Sequence, residues 1–225
     1  MPKVHHIEVL EDYSARARLD EGFLRLKRLR ARNRREDGSV SREYPIDVID
    51  RPTLDAVAVC LWARTPRGVE VLTRRGLRPA ACFRRGQPTA LPEPEYLLVE
   101  ELVAGVLEPG ERGLAALRAR AAAEVREEAG LEVAPERLEP LGAGFFVVPG
   151  IASEKIHLLA AEVPRGDAAA PFEAPQDGDG SPLEEGALLQ WRELAAAIRA
   201  CEAGEIEDAK TEIALRRLAQ RLAGG

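Results

Sequence analysis

The sequence predicts a mixed fold, α/β (α+β), preceded by a small antiparallel β unit, and three observations carry that prediction. After residue 52, short apolar, β-branched stretches alternate with segments of helical composition. Residues 111–129 are rich in Ala, Leu, Arg and Glu and stop at Gly130, which is both the composition and the stop signal of a helix. Ahead of both, two alternating segments flank Asp37-Gly38-Ser39, a turn sequence. Interleaved elements of both kinds exclude an all-α or all-β architecture.

Taken in order, GFLRLKRLRAR places Phe23, Arg25, Lys27, Leu29 and Ala31 on one face and Leu24 and Leu26 opposite, although the pattern also admits a helix. SVSREYPIDVI returns as the second strand. A lone hairpin with so little apolar surface is unstable in water, so it needs a body or a second subunit to pack on. Residues 1–51 therefore read as an N-terminal β domain and 52–225 as the main domain. DAVAVCLWAR has the composition of a buried strand, and VEVLTRR follows across a Pro-Arg-Gly turn. Residues 78–94 read as a loop, and EYLLVEELVAGVL resumes extended structure up to Pro109-Gly110. GAGFFVV, EKIHLLAAEV and ALLQWRE read as further strands, residues 164–182 as an aperiodic loop, and 193–203 and 208–222 as helices.

Composition narrows the function classes. The 225 residues hold 32 Lys+Arg against 38 Asp+Glu, a net charge of −6, with 45% hydrophobic residues. That is the balance of a globular protein, and the absence of a long contiguous basic block argues against nucleic acid as the partner. No apolar run approaches the ~20 residues of a membrane span, and MPKVHHIEVLEDY lacks the apolar core of a signal peptide. Cys60, Cys82 and Cys201 are odd in number and widely spaced, which offers neither a disulfide framework nor a zinc site and suits a reducing cytoplasm. Trp62, Trp191 and His157 read as packed residues, and Cys60 as a small buried hydrophobe.

The chemistry concentrates in the helix. Glu124, Glu127 and Glu128 stand at i, i+3 and i+4, so their carboxylates leave one face within a turn. Such a triplet reads either as a solvated face with Arg120 and Arg126 as ion-pair partners, or as a site for a hard divalent cation that neutralises it. Upstream, Gly105-Val-Leu-Glu-Pro-Gly-Glu111 adds a strand end, a tight turn and an acid that opens the helix.

Together these segments resemble the Nudix box. The chain matches that pattern at Gly105, Glu111, Glu124, Val125, Glu127, Glu128, Gly130 and Leu131. It departs twice: eleven residues separate Glu111 from Ala123 where the box has seven, and Ala123 stands where the box has arginine. The four extra residues are close to one helical turn of 3.6 and either lengthen the helix or loosen the loop before it. Arg120, one turn earlier, is the candidate to supply the missing guanidinium. Glu101-Leu-Val-Ala-Gly, Val148-Pro149-Gly150 with Ser153-Glu154-Lys155, and Gly204-Glu-Ile-Glu-Asp-Ala-Lys-Thr211 are similar to the ADP-ribose pyrophosphatase branch of that family, as is Arg78-Pro79.

The resemblance implies an α/β/α sandwich on a mixed sheet and a homodimer joined through the N-terminal β domain. It implies a Mg²⁺-dependent (or Mn²⁺-dependent) hydrolase that cleaves ADP-ribose or a related nucleoside diphosphate sugar to a nucleoside monophosphate and a sugar phosphate. Glu124 and Glu128 become metal ligands, with the Ala104 carbonyl as a further oxygen. Glu127 becomes a ligand of a second metal and so part of the catalytic set, and Glu111 a loop-positioning acid. Glu185, with Glu184 second, becomes the general base on the loop before the last strand. Arg78 is expected on the substrate phosphates, Glu101 at the sugar or nucleoside end, and Glu154 along the site. The competing expectation is a module that binds a nucleotide sugar as a sensor, Ala123 marking lost catalysis.

Overall fold

A computed structural model describes residues 18–19, 21–166, 171–174, 182–184 and 186–224. His5, His6, Glu185 and most of the 164–182 loop lie outside the described residues. The hairpin forms from β1 (Arg25–Ala31) and β2 (Tyr44–Asp50), paired antiparallel from Arg25 opposite Asp50 to Ala31 opposite Tyr44. At its tip Gly38 takes a left-handed φ of 80°, and the Ser39 N–H donates to Asp37 Oδ1 at 2.9 Å. This is the Asx-type turn chemistry that the sequence announced.

Beyond it lies a mixed sheet of β3 (Asp55–Thr65), β4 (Gly68–Leu77), β5 (Leu98–Glu101), β6 (Val103–Val106), β7 (Glu139–Pro140), β8 (Phe145–Phe146), β9 (Lys155–Glu162), β10 (Phe172–Glu173) and β11 (Leu188–Glu193). Its path runs β10-β11-β4-β3-β9-β7, and only the β3–β9 pair is parallel. Among the described residues there are four α-helices: α1 (Pro79–Cys82), α2 (Gly113–Ala129), α3 (Leu194–Glu202) and α4 (Ala209–Ala223). α1 is a single turn inside the segment read as loop, started by Pro79 at its first position.

Strand alternation builds the layers. Val57, Val59 and Leu61 of β3 point to a core shared with Ala121, Val125 and Ala129 of α2. Ala56, Ala58 and Cys60 point the other way, to a core shared with Leu194 and Ala197 of α3 and with Ala214, Leu215 and Leu218 of α4. Helices thus cover both faces. Both faces of β3 being buried explains why its sequence reads as a continuous apolar run. Cys60, wholly buried in the second core, has its thiol pushed up to about 12 by burial.

One departure from a plain sheet positions the site. β4 pairs with β3 only near their turn, from Trp62 opposite Val71 to Thr65 opposite Gly68. Beyond it the two strands diverge. β5 takes up β4, with Arg74 opposite Glu101, and β6 takes up β3, with Ala58 opposite Ala104. The extended stretch read as one segment is therefore two strands that break at Leu102. Its N–H, buried between them, donates to Thr211 Oγ1 of α4 at 2.9 Å. A buried backbone donor must find such a partner.

Candidate metal and substrate site

α2 starts at Gly113 and ends at Gly130, whose φ of 65° closes it in the left-handed conformation. Every residue from 113 to Ala123 is helical, so the surplus residues between Glu111 and Ala123 extend the helix and leave the loop short. Glu111 sits at that loop. Its Oε2 accepts from the Glu108 N–H at 2.7 Å, and its Oε1 lies 3.1 Å from Arg120 Nη2. Burial alone would raise the Glu111 pKa, but the Arg120 and Glu108 donors outweigh it and hold the carboxyl below its ordinary range. Arg120 also comes within 3.9 Å of Glu124 Oε1. A guanidinium from position 120 therefore stands between Glu111 and the first acid of the triplet. Ala123 instead lines a hollow with Arg126, Glu132 and Pro135.

Glu124 lies against bare backbone. A Cβ built on Gly105 would sit 1.8 Å from Glu124 Oε1 and 2.0 Å from its Cδ, so no other residue fits at 105 with this carboxylate in place. Burial, then the charges of Glu128 and Glu127, push the Glu124 pKa up to about 7. Glu128 is 6% exposed; its Oε2 accepts from the Ala104 N–H at 3.0 Å and its Oε1 lies 3.6 Å from Arg74 Nη1. Burial raises its pKa too, against the opposing pull of Arg74. One residue's N–H and C=O face the same edge of a strand, so the Ala104 carbonyl is turned toward this side as well. Glu127, more exposed, is 3.4 Å from Arg126.

No protein-family model matches this chain, and no curated protein matches it. The site must be judged on its own residues.

Among the described residues no three His, Cys, Asp or Glu side chains stand close enough to hold a metal ion as they are. Glu128 is turned to Arg74 and Glu127 to Arg126. The donor set nevertheless suits a hard cation: three carboxylates on one helical face, one of them buried beside the other two with Arg120 only partly offsetting its burial, and a main-chain oxygen on the facing edge. A divalent ion that drew them together would offset both the burial and the repulsion that raise Glu124.

The other expected site residues divide. Glu101, 2% exposed, lies between Arg78 Nη2 at 2.5 Å and Lys210 Nζ at 2.5 Å, and Lys210 also reaches Asp208 Oδ1 at 2.8 Å. Burial opposes the Lys210 charge, yet Glu101 and Asp208 outweigh it and raise its pKa. Arg78 is far more exposed than its partner, so the pair presents a guanidinium on a buried anchor. Glu154 stands immediately before β9 and pairs with Arg51 Nη2 at 2.5 Å. Next to that pair, the Ile49 N–H donates to the Ile151 carbonyl at 2.7 Å, so the root of the hairpin is fastened at two adjacent points. Glu184, in a turn spanning Pro182–Glu184, reaches 3.9 Å from Arg74 Nη2 and so faces the cluster. Glu185 lies outside the described residues.

Sequence reasoning missed Arg74 and Lys210. Arg74 sits in an Arg-Arg pair within an alternating strand, where only the register tells which of the two faces inward. Lys210 was legible only as part of a resembling segment, although one of just four lysines beside an N-cap aspartate was a usable signal.

Proposed function

We propose that this chain is a Mg²⁺-dependent Nudix-type pyrophosphohydrolase that splits ADP-ribose, or a related nucleoside diphosphate sugar, into a nucleoside monophosphate and a sugar phosphate. The observation that carries the reading is the fit of the Glu124 carboxylate against Gly105, 19 positions upstream, beside Glu127 and Glu128. Box pattern and three-dimensional packing meet at that contact. The α/β/α layering supports the same reading.

In this mechanism Glu124, Glu128 and the Ala104 carbonyl hold the cation, with Glu127 serving a second one. Mg²⁺, when bound there, would supply charge neutralisation for the diphosphate and activation of the attacking water. The protein supplies the rest. Arg78, oriented by Glu101 and through it by Lys210, binds a phosphate oxygen. An acid of the loop before β11 takes the proton as water attacks phosphorus and the bridging P–O bond breaks. Glu184 is the described acid facing the cluster, and Glu185 is its neighbour in sequence. A carboxylate at this place acts as the general base that accepts that proton.

The test is hydrolysis of a panel of ADP-ribose, GDP-mannose and UDP-glucose with Mg²⁺, scored by the nucleotide released, beside Glu127→Gln and Glu128→Gln. AMP from ADP-ribose, lost in the variants, is the expected result. Turnover of another sugar nucleotide keeps the chemistry and moves the specificity. Tight metal-dependent binding without turnover would assign the chain as a sensor.

The hairpin carries Phe23, Leu24, Leu29 and Ile49 exposed, near exposed Val148 and Ile151 at its root. We assign these exposed apolar side chains, which lie on both faces of the hairpin, to contact with a second copy of the chain, and sedimentation velocity of the full protein as a dimer is the expected outcome. Among the described residues no helix is long and apolar enough to cross a membrane.

A further inference from the structure

Arg74 is the most deeply placed cation of the site. Its side chain is 3% exposed, its Nη1 lies 3.6 Å from Glu128 Oε1 and its Nη2 lies 3.9 Å from Glu184 Oε1. Its Nε is buried with no hydrogen-bond partner. Such a group costs free energy, and natural cores retain one where the charge is needed. The backbone makes room for it: a Cβ on Gly76 would meet Arg74 Nη1 at 2.4 Å. Gly76 has no left-handed φ, so its missing side chain serves that space and not a turn. Arg74 also occupies the one stretch of β4 where neighbours on both sides belong to the site, with Glu101 opposite it on β5 and Leu189 opposite it on β11, the strand that follows the Glu184 turn.

Resting on the metal-site reading above, we propose that Arg74 is a positioning residue that ties the cation ligand Glu128 to the loop acid Glu184 through the two arms of one guanidinium. It does from the sheet side what Arg120 does for Glu111 and Glu124 from the helix side, so two arginines share the work of the one absent at position 123. Arg74 does not touch substrate. It stands as an ion pair 3.6 Å from one oxygen of Glu128 while the Ala104 N–H donates a hydrogen bond to the other, so charge on one side and a donor on the other bias the carboxylate toward this orientation. Its second arm sets how near Glu184 comes to that ligand. Only a forked, permanently charged group does both; a lysine ammonium on an unbranched stem reaches one carboxylate at a time.

The experiment is Mn²⁺ binding to the full chain, followed by electron paramagnetic resonance of free and bound ion, with melting of the chelated protein and turnover measured alongside. Arg74→Gln is expected to weaken Mn²⁺ by about tenfold or more, the range seen when a partner of a metal ligand is removed. Arg74→Lys is expected to restore Mn²⁺ affinity but not turnover. Gly76→Ala removes no charge and displaces the guanidinium alone, so a fall in Mn²⁺ affinity there supports positioning directly. Thr73→Val, whose hydroxyl bonds Glu100 at 2.7 Å, is the stability control and should lower the melting temperature without changing Mn²⁺ affinity. Unchanged or tighter Mn²⁺ binding in Arg74→Gln, or in Gly76→Ala should Arg74→Gln not fold, overturns the inference while leaving the metal site standing. A wild-type protein that binds no Mn²⁺ overturns the metal-site reading itself, and the Arg74 inference with it.

Discussion

The hairpin and the floor beneath α2 are both dense in charge, and they use it in opposite ways. On the hairpin, Arg28 meets Asp47 at 3.7 Å and Arg30 meets Glu43 at 3.8 Å, both pairs open to water, while Lys27 meets the half-buried Asp50 at 2.6 Å. Screened pairs of this kind contribute little, and their side chains are interchangeable. Under α2, Arg74, Glu101 and Glu128 are all buried, and each has a fixed partner on another element. There the cost of stripping water from a charge is large, and removing one partner leaves the other uncompensated. The lesson is that charge density says little about function, while charge with a fixed place inside the fold says much.

Substitutions that break the contrast should rank accordingly. The largest effect is expected from Glu128→Gln, which should cut nucleotide-sugar hydrolysis at saturating Mg²⁺ by at least about a hundredfold while the far-ultraviolet spectrum stays that of the wild type. Gly105→Ala should follow, since the new methyl must displace Glu124. It should lower turnover while stability in denaturant unfolding changes little, because the atoms displaced are the far end of a flexible side chain.

Stability itself should depend on pH. The folded Glu124 pKa of about 7 lies above its ordinary 4.5, so the folded state holds the proton more tightly. The associated stability is fully present below about pH 4.5 and lost as pH rises through 7. In chelator, the melting temperature should therefore decline between pH 5 and 8, and Glu124→Gln should flatten that decline. The smallest effect belongs to the hairpin. Arg28→Gln should move the melting temperature by less than about 2 °C and leave turnover unchanged. A large loss from Arg28→Gln would erase the contrast between the two regions.

Much of the fold was legible from local pattern. The hairpin turn, β3, α2 with its glycine stop, and the two C-terminal helices all follow from signals within a few residues of each other. What escaped was set by distant partners. Nothing near Leu102 says that the extended run breaks there, because the break depends on β3 and β4 parting and on Thr211 arriving to take the freed N–H. In the candidate site, the acids of α2 were visible from spacing alone. Arg74 was not, since its neighbour Arg75 is identical in sequence and differs only in facing outward.

That Leu102–Thr211 contact also has a consequence for assembly. The two residues are 109 positions apart, and Asp208 uses one oxygen both to cap α4 through the Thr211 N–H and to hold its hydroxyl. Lys210, between them, anchors Glu101. Closing so long a loop is slow, and contacts that depend on it form after local ones. Local pairings such as β3 with β4 thus precede the docking of residues 208–211, and until that docking Glu101 and the Leu102 N–H lack these partners. The Arg78–Glu101–Lys210 arrangement is completed only when residues 208–211 dock, and amide exchange at Leu102 during refolding would time it.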